Sequence, residues 1–199
     1  MNNELLLFQK AALQGVLTDP LCADYKAKWS KCHNDKEKLV KMVMSQQALP
    51  YYLSHCYNGY GLSKEYVLDY FADYINGKYT GIDVDGVQGD YKTQIYAGYN
   101  DSIEESLDVI AFQWCNSTLI TPQCKAIKLY VGCSSEIHVE CEGYNSLVVM
   151  LFDDSTVWLD DIDEDSSIII YRYSPDAKVE VGRFCFSDKV RIFNKQLKL

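Results

Sequence analysis

The chain has 199 residues and a mass of 22.8 kDa, and 48% of its residues are hydrophobic while 24% are charged. This composition is typical of a globular protein with one domain, or two small ones, around a real core. Its 28 acidic and 19 basic residues give a formal charge of −9, which argues against direct binding to nucleic acid because phosphate contacts need a positive surface.

The sequence contains no apolar segment of the length that a membrane-spanning helix requires. Its longest apolar run, 146–152, is the size of a strand. The start, from Met1 to Glu4, has no basic region and no small-residue cleavage site, so we expect no secretory signal. The expected compartment is therefore a cytoplasm, with no membrane contact.

The eight cysteines are expected to be reduced, because no secretory signal is expected and the chain is long enough to fold without disulfides. No two of them form the Cys-x-x-Cys pair that zinc sites and thioredoxin-like redox sites use. We therefore expect no metal and no cofactor. The cysteines are Cys22, Cys32, Cys56, Cys115, Cys124, Cys133, Cys141 and Cys185.

The N-terminal residues 1–78 predict a small helical module. A first apolar stretch ends at Gly15, which suits the residue after a helix. Asn34 followed by Glu37 resembles a capping box and predicts the start of a second helix. Ser63 precedes a third segment whose apolar and aromatic residues recur at helical spacing.

Residues 79–124 predict irregular strands and a linker. Three short segments here have the composition of strands, namely 93–97, 107–111 and 118–120.

Residues 125–199 contain a short internal repeat with a near-constant interval of ten or eleven positions. Each repeat has two aliphatic positions separated by one residue, so both side chains lie on the same face of a strand. The first aliphatic position holds Ile127, Ile137, Leu147, Val157, Ile168, Val179 and Val190. The second holds Leu129, Val139, Val149, Leu159, Ile170, Val181 and Ile192. A small or turn-forming residue often stands two positions before the first column, as Ser135, Asn145, Ser155, Ser166 and Ala177 do.

This repeat fits either a parallel β-solenoid or an antiparallel β-meander or sandwich. The solenoid is favoured because the linkers of the repeat contain no Asn-Gly or Asp-Gly hairpin turn. Identical aliphatic columns also stack naturally from one rung to the next. We therefore predict an α+β protein with an N-terminal helical module and a C-terminal single-chain β-solenoid, whose open ends could support a homo-oligomer.

Several motifs resemble uncharacterised proteins of phages and mobile elements from gut bacteria. The repeats 155–159, 166–170 and 177–181 look like short-repeat β-solenoids of that kind, and similar N-terminal features are Cys22-x-x-Tyr25-x-x-x-Trp29 and 71–79. The resemblance implies a phage or mobile-element origin and the cytoplasm of a bacterial host, or alternatively a virion, as the location. It implies no reaction.

Seven acidic residues lie within thirteen positions, with no basic residue among them: Asp153, Asp154, Asp160, Asp161, Asp163, Glu164 and Asp165. The segment Asp161-x-Asp163-x-Asp165 resembles the first half of an EF-hand calcium loop. Ser166 and Arg172, however, stand where such a loop requires glycine and glutamate. Three interpretations stay open: an irregular Ca²⁺ site, a solvated linker that keeps strand edges apart, or an acidic surface that imitates a nucleic-acid backbone. We assign partner binding to all seven residues.

The sequence therefore predicts a binding protein and no enzyme. Its three histidines, His33, His55 and His138, belong to no catalytic signature, and His138 is expected to point into solvent. The expected partner is a host or phage protein with a basic surface, such as a nucleic-acid-handling or defence protein that this chain would inhibit. The alternatives are a virion decoration or tail-associated protein and a carbohydrate-active solenoid that uses a pair of carboxylates.

Overall fold

The computed structural model describes residues 93–195 except 105, 106, 123, 124 and 186, together with a few residues between Lys31 and Asp69. Most of the predicted helical module, including its first helix, therefore lies outside the described residues. The segment 70–92 lies outside them as well.

Eleven strands and one 3₁₀ turn make up residues 93–194. The strands are β1 Thr93–Ala97, β2 Ser102–Glu104, β3 Val109–Gln113, β4 Asn116–Thr121, β5 Lys125–Gly132, β6 Glu136–Cys141, β7 Asn145–Leu151, β8 Thr156–Ile162, β9 Ser167–Arg172, β10 Lys178–Cys185 and β11 Val190–Asn194, and the 3₁₀ turn is Ser187–Lys189.

Consecutive strands lie in two different sheets. The odd sheet has the order β1-β3-β5-β7-β9-β11, and the even sheet has the order β10-β8-β6-β4-β2. All pairs between these strands are parallel. The chain thus winds through five turns of two strands each, followed by β11, which confirms the β-solenoid. The antiparallel alternative is wrong, because no strand described in 93–194 pairs with its neighbour in sequence.

The aliphatic columns predicted from the sequence form the core between the two sheets. In the odd sheet Ile127 is paired with Leu147, which is paired with Ile168. In the even sheet Ile137 is paired with Val157. One interval of the sequence repeat is therefore half a turn, and all these side chains are almost fully buried. Burying each of them contributes roughly 1.5–3 kcal/mol.

The solenoid begins before the recognised repeat. Strands β1 to β4 pair in the same two sheets as the later strands, and they include a strand that the sequence pattern did not indicate, Ser102–Glu104. Ile95 lies opposite Ala111, so this first turn is shorter than every later one in the odd sheet. That different spacing is why the repeat is not visible here.

The turns lengthen along the chain. In the odd sheet, the residues in register are Ile110 with Leu129, Leu129 with Val149, Val149 with Ile170, and Ile170 with Ile192. The separation in sequence grows by one residue from each of these pairs to the next. Each turn is thus slightly longer than the one before it.

One of the added residues forms a β-bulge at Asp160. Val139 lies opposite Leu159, whereas Glu140 lies opposite Asp161, so Asp160 has no partner residue in β6. The next strand passes close to this bulge at Gly182. A Cβ atom on Gly182 would lie 2.9 Å from the backbone carbonyl oxygens of Leu159 and Asp160, which is too close for any other residue.

Buried polar side chains join the corners of successive turns. At the corner from the odd to the even sheet, Cys115 N donates to Ser135 Oγ at 3.2 Å and Ser135 N donates to Ser155 Oγ at 3.0 Å. The small residues predicted at the corners are therefore acceptors for the backbone of the preceding turn. The same position one turn later is Ala177, which has no hydroxyl, so this ladder ends at Ser155.

The opposite corner has an equivalent ladder. Lys125 N donates to Asn145 Oδ1 at 3.2 Å, and Asn145 N donates to Ser166 Oγ at 3.1 Å. Ser166 Oγ in turn donates to the carbonyl oxygen of Gly143 at 2.8 Å. These bonds fix the corners on which the acidic residues lie.

The described N-terminal residues include two helical starts. Asp35 Oδ1 accepts from Lys38 N at 3.1 Å, so Asp35 caps the second predicted helix one position later than the expected Asn34. The chain is helical directly after Ser63, as its sequence predicts. Leu68 in this segment lies against Gly98, at the first corner of the solenoid.

Candidate interaction surface

The seven acidic residues assigned to partner binding do not form one surface. Asp153 and Asp154 lie at the corner between β7 and β8, and 163–165 form the opposite corner between β8 and β9. Asp160 and Asp161 lie near the end of β8. The length of β8 separates the two corners by roughly 23 Å, because an extended strand advances about 3.3 Å per residue.

Asp153 is a buried structural residue. Its carboxylate accepts hydrogen bonds from the backbone N–H groups of Cys133, Ser134 and Ser155, and from the Ser155 hydroxyl. Its side chain is 7% exposed, so it is not available to a partner. Cys133 and Ser134 have φ values of 56° and 55°, which turn their N–H groups toward this carboxylate.

Asp154 is exposed, but it lies on the same corner as Asp153 and away from the other acidic residues. Its Oδ1 accepts from Ser134 Oγ at 2.7 Å. It also borders a shallow cavity of about 620 Å³ that Arg172 and Lys178 line as well. The negative charge is therefore partly offset at this edge.

The corner between β8 and β9 belongs to a continuous acidic strip, which we call the acidic edge. It consists of Glu140, Glu142, Asp161, Asp163, Glu164 and Asp165. Glu140 lies opposite Asp161 in register, and the paired Cys141 and Ile162 directly precede Glu142 and Asp163. Two successive turns thus place their carboxylates side by side at this edge.

The loop at the acidic edge is held in one shape by its own backbone. Asp163 Oδ1 accepts from Asp165 N at 3.0 Å, and the carbonyl oxygen of Asp163 accepts from Ser166 N at 3.0 Å. The bond from Ser166 Oγ to Gly143 joins this loop to the corner of the preceding turn. Asp161, Glu164 and Asp165 remain exposed.

An exposed tyrosine lies within the acidic edge. Tyr144 follows Gly143 in the corner between β6 and β7, and 58% of its surface is exposed. Tyrosine is enriched at protein interfaces, where its ring supplies contact area at a low entropic cost. The chain has no lysine or arginine from 129 to 171. Lys125, which is in register with Asn145 at the preceding corner, is paired with Asp108 at 3.3 Å.

The outer face of the even sheet carries a second cluster. His138 Nδ1 lies 2.6 Å from Asp160 Oδ2, and the His138 ring stacks on Trp158 with ring centroids 5.6 Å apart. Trp158 Nε1 donates to Glu136 Oε1 at 2.9 Å. His138 points outward as expected, but it is bound and stacked rather than simply solvated.

Sequence reasoning missed this cluster because it treated each half-turn as an equivalent unit. His138 and Trp158 occupy the same position in β6 and β8, one full turn apart. Only the register of the even sheet brings the two rings together.

Among the described residues, no group of three or more His, Cys, Asp or Glu side chains could hold a metal ion. The same part of the chain contains no helix with the length and apolarity needed to span a membrane. Within it, Cys115, Cys141 and Cys185 form no disulfide. Burial raises the pKa of the thiols of Cys115 and Cys141 above the ordinary value.

The fold and these surfaces define a class of protein, a two-sheet parallel β-solenoid with an acidic edge. No family model, no curated protein and no solved structure matches the chain.

Proposed function

We propose that the protein is a non-enzymatic binding protein whose acidic edge engages a basic surface on another protein. The observation that carries this proposal is the combination of six carboxylates and the exposed Tyr144 on one edge, within a sequence segment, 129–171, that contains no lysine or arginine. The negative charge would steer a basic partner toward this edge, and the tyrosine would supply a central contact.

The rigidity of the edge supports the same function. The corner hydrogen bonds hold the carboxylates at a regular rise of about 4.8 Å per turn. Charges that are already in place lose less entropy on binding than charges on a flexible tail. Regularly spaced carboxylates can therefore occupy a groove that normally receives nucleic-acid phosphates.

The resemblance noted in the sequence suggests the setting. We propose that the chain derives from a phage or mobile element and acts in the cytoplasm of a bacterial host. Its partner would be a host or phage protein that handles nucleic acid or serves in defence, and binding would inhibit that protein. Neither direct nucleic-acid binding nor a cofactor is part of this proposal.

The test compares two triple variants that remove the same charge from opposite edges. Asp161→Asn, Glu164→Gln and Asp165→Asn neutralise the acidic edge at exposed positions. Asp101→Asn, Asp154→Asn and Asp176→Asn form the control, because they are exposed at corners that lead from the odd to the even sheet.

Affinity purification from a bacterial host with mass spectrometry would identify candidate partners, and titration with each purified partner would follow. The acidic-edge variant should bind about threefold to a hundredfold more weakly at low salt, since three exposed ion pairs contribute roughly 0.2–1 kcal/mol each. The control variant should bind within about twofold of wild type. Equal loss in both variants, or loss in neither, would refute the role of the acidic edge.

A virion or assembly role is the second candidate, and the last turn of the solenoid favours it. The inward-facing columns end in apolar residues that no further described strand covers, with Val181 44% and Ile192 47% exposed. Such an end could contact a second copy or another virion component. Light scattering after size exclusion should then show a species larger than the 22.8 kDa chain, and Ile192→Ser should reduce it.

A further inference from the structure

The outer face of the even sheet carries more acidic than basic side chains. Four carboxylates point outward from β6, β8 and β10. Two basic residues lie on β10, namely Lys178, which is in register with Glu136 through Thr156, and the exposed Arg183. The carboxylates belong to Glu136, Glu140, Asp160 and Glu180. This face adjoins the acidic edge directly, because Asp160 precedes Asp161 in β8.

Trp158 lies at the centre of this face, and its two ring surfaces have different environments. His138 stacks on one surface, with ring planes 3° from parallel and centroids 5.6 Å apart. That distance is close to the spacing of neighbouring strands, so the rings stack along the solenoid axis. The other surface of the indole therefore faces β10, where the residue in register is the exposed Glu180.

Both rings are fixed before any partner arrives. The indole N–H of Trp158 is held by Glu136 at 2.9 Å, and the imidazole of His138 is held by Asp160 at 2.6 Å. A ligand that stacks on Trp158 would not need to order either ring, which lowers the entropic cost of binding.

We propose that this face binds an arginine side chain of the basic partner. The guanidinium would stack on the indole surface of Trp158 that faces β10 and would pair with the carboxylate of Glu180. A planar guanidinium can stack and form two parallel hydrogen bonds at once, whereas an ammonium group cannot. The inference rests on the proposed function, because it names the side chain through which the same basic partner is recognised.

Three short synthetic peptides of one length test the proposal. They alternate serine with arginine, with lysine or with citrulline, and citrulline keeps the planar group while losing the charge. Calorimetric titration of the full chain at about 50 mM salt gives the dissociation constants, since exposed charge pairs are only partly screened there. The arginine peptide should bind about five- to tenfold more tightly than the lysine peptide, and the citrulline peptide should bind more weakly than both.

Two variants locate the contact. Trp158→Leu should weaken the arginine peptide about five- to tenfold and the lysine peptide less, because a planar guanidinium stacks on the indole surface more closely than an ammonium group does. Glu180→Gln should weaken the arginine peptide about threefold, and this variant should fold like wild type because its side chain is exposed on the last strand of the sheet. Glu104→Gln, an exposed acid on the first strand of the same sheet, is the matched control and should bind like wild type.

The outcomes separate this inference from the proposed function. Equal affinity for the arginine and lysine peptides, or an arginine affinity unchanged by both Trp158→Leu and Glu180→Gln, would overturn the arginine site. If a purified partner then still loses affinity with the acidic-edge variant, the proposed function stands without this site. If the arginine peptide behaves as expected while that partner binds the acidic-edge variant as tightly as wild type, the arginine site stands and the acidic edge is not the main contact.

Discussion

Replacing Asp153 tests whether its carboxylate is structural or belongs to a binding surface. Three backbone N–H groups and one hydroxyl donate to this buried carboxylate. Asp153→Ala would leave those N–H groups without an acceptor at a buried corner, and each unsatisfied buried donor costs about 1–3 kcal/mol. Alanine would also be strained at the φ of 45° found here.

These contributions are not additive, and together they predict a loss of about 4 kcal/mol in the free energy of unfolding for Asp153→Ala. Asp153→Asn should lose about 2 kcal/mol, because asparagine tolerates a positive φ and keeps one oxygen acceptor but turns an N–H₂ group toward other donors. The total stability of such a domain is about 5–15 kcal/mol, so the alanine variant would lose roughly a quarter to four fifths of it.

Urea unfolding followed by circular dichroism measures the effect. With a slope of about 2 kcal/mol per molar urea, the midpoint should fall by about 2 M for Asp153→Ala and by about 1 M for Asp153→Asn. Asp154→Asn is the adjacent exposed control and should shift the midpoint by less than about 0.3 M. A midpoint for Asp153→Ala within about 0.5 M of wild type would refute the structural role.

Three further predictions follow from close packing and burial. Gly182→Ala should lower the free energy of unfolding by about 2–3 kcal/mol in urea denaturation, because the added Cβ would meet two backbone carbonyl oxygens; an unchanged midpoint would mean that β10 can move away from the bulge. Burial raises the pKa of Tyr130 to about 12. The neutral phenol therefore contributes about 2–3 kcal/mol to the free energy of unfolding, and this contribution is fully present below about pH 10 and is lost as the pH rises toward 12. Between about pH 9 and pH 11, the free energy of unfolding should fall less in Tyr130→Phe than in wild type. An equal fall in both proteins would mean that other groups cause the pH dependence. The raised pKa of the Cys115 and Cys141 thiols should slow their alkylation at about pH 8 at least about tenfold relative to the chain in urea, as followed by mass spectrometry; equal rates would show that these corners open readily.

The sequence was sufficient to predict the solenoid where burial alone determines the pattern. The aliphatic spacing of Ile127, Ile137 and Leu147 indicated equivalent strands, and the absence of Asn-Gly or Asp-Gly turns favoured their parallel stacking. The spacing did not reveal that alternate strands belong to different sheets, because both sheets use the same aliphatic residue types. The shorter first turn, in which Ile95 lies opposite Ala111, was missed because its length breaks the repeat.

The candidate surface was harder to predict, because it depends on backbone conformation rather than on composition. Asp153 and Asp154 are neighbouring residues of the same type, yet Asp153 is buried against backbone N–H groups and Asp154 is exposed. The positive φ values of Cys133 and Ser134 turn their N–H groups toward Asp153, and the residue types in that corner do not predict these φ values. The stack of His138 on Trp158 likewise depends on register, which two residues in different strands do not reveal by themselves.

The steady lengthening of the turns also bears on how copies of the chain can associate. The first turn of the odd sheet, from Ile95 to Ala111, is the shortest and the last, from Ile170 to Ile192, is the longest, so the cross-sections of the two ends do not match. A head-to-tail contact that repeats from copy to copy would generate an open fibre, and it would require the two ends to match. This taper therefore disfavours open-ended, head-to-tail polymerisation of the chain.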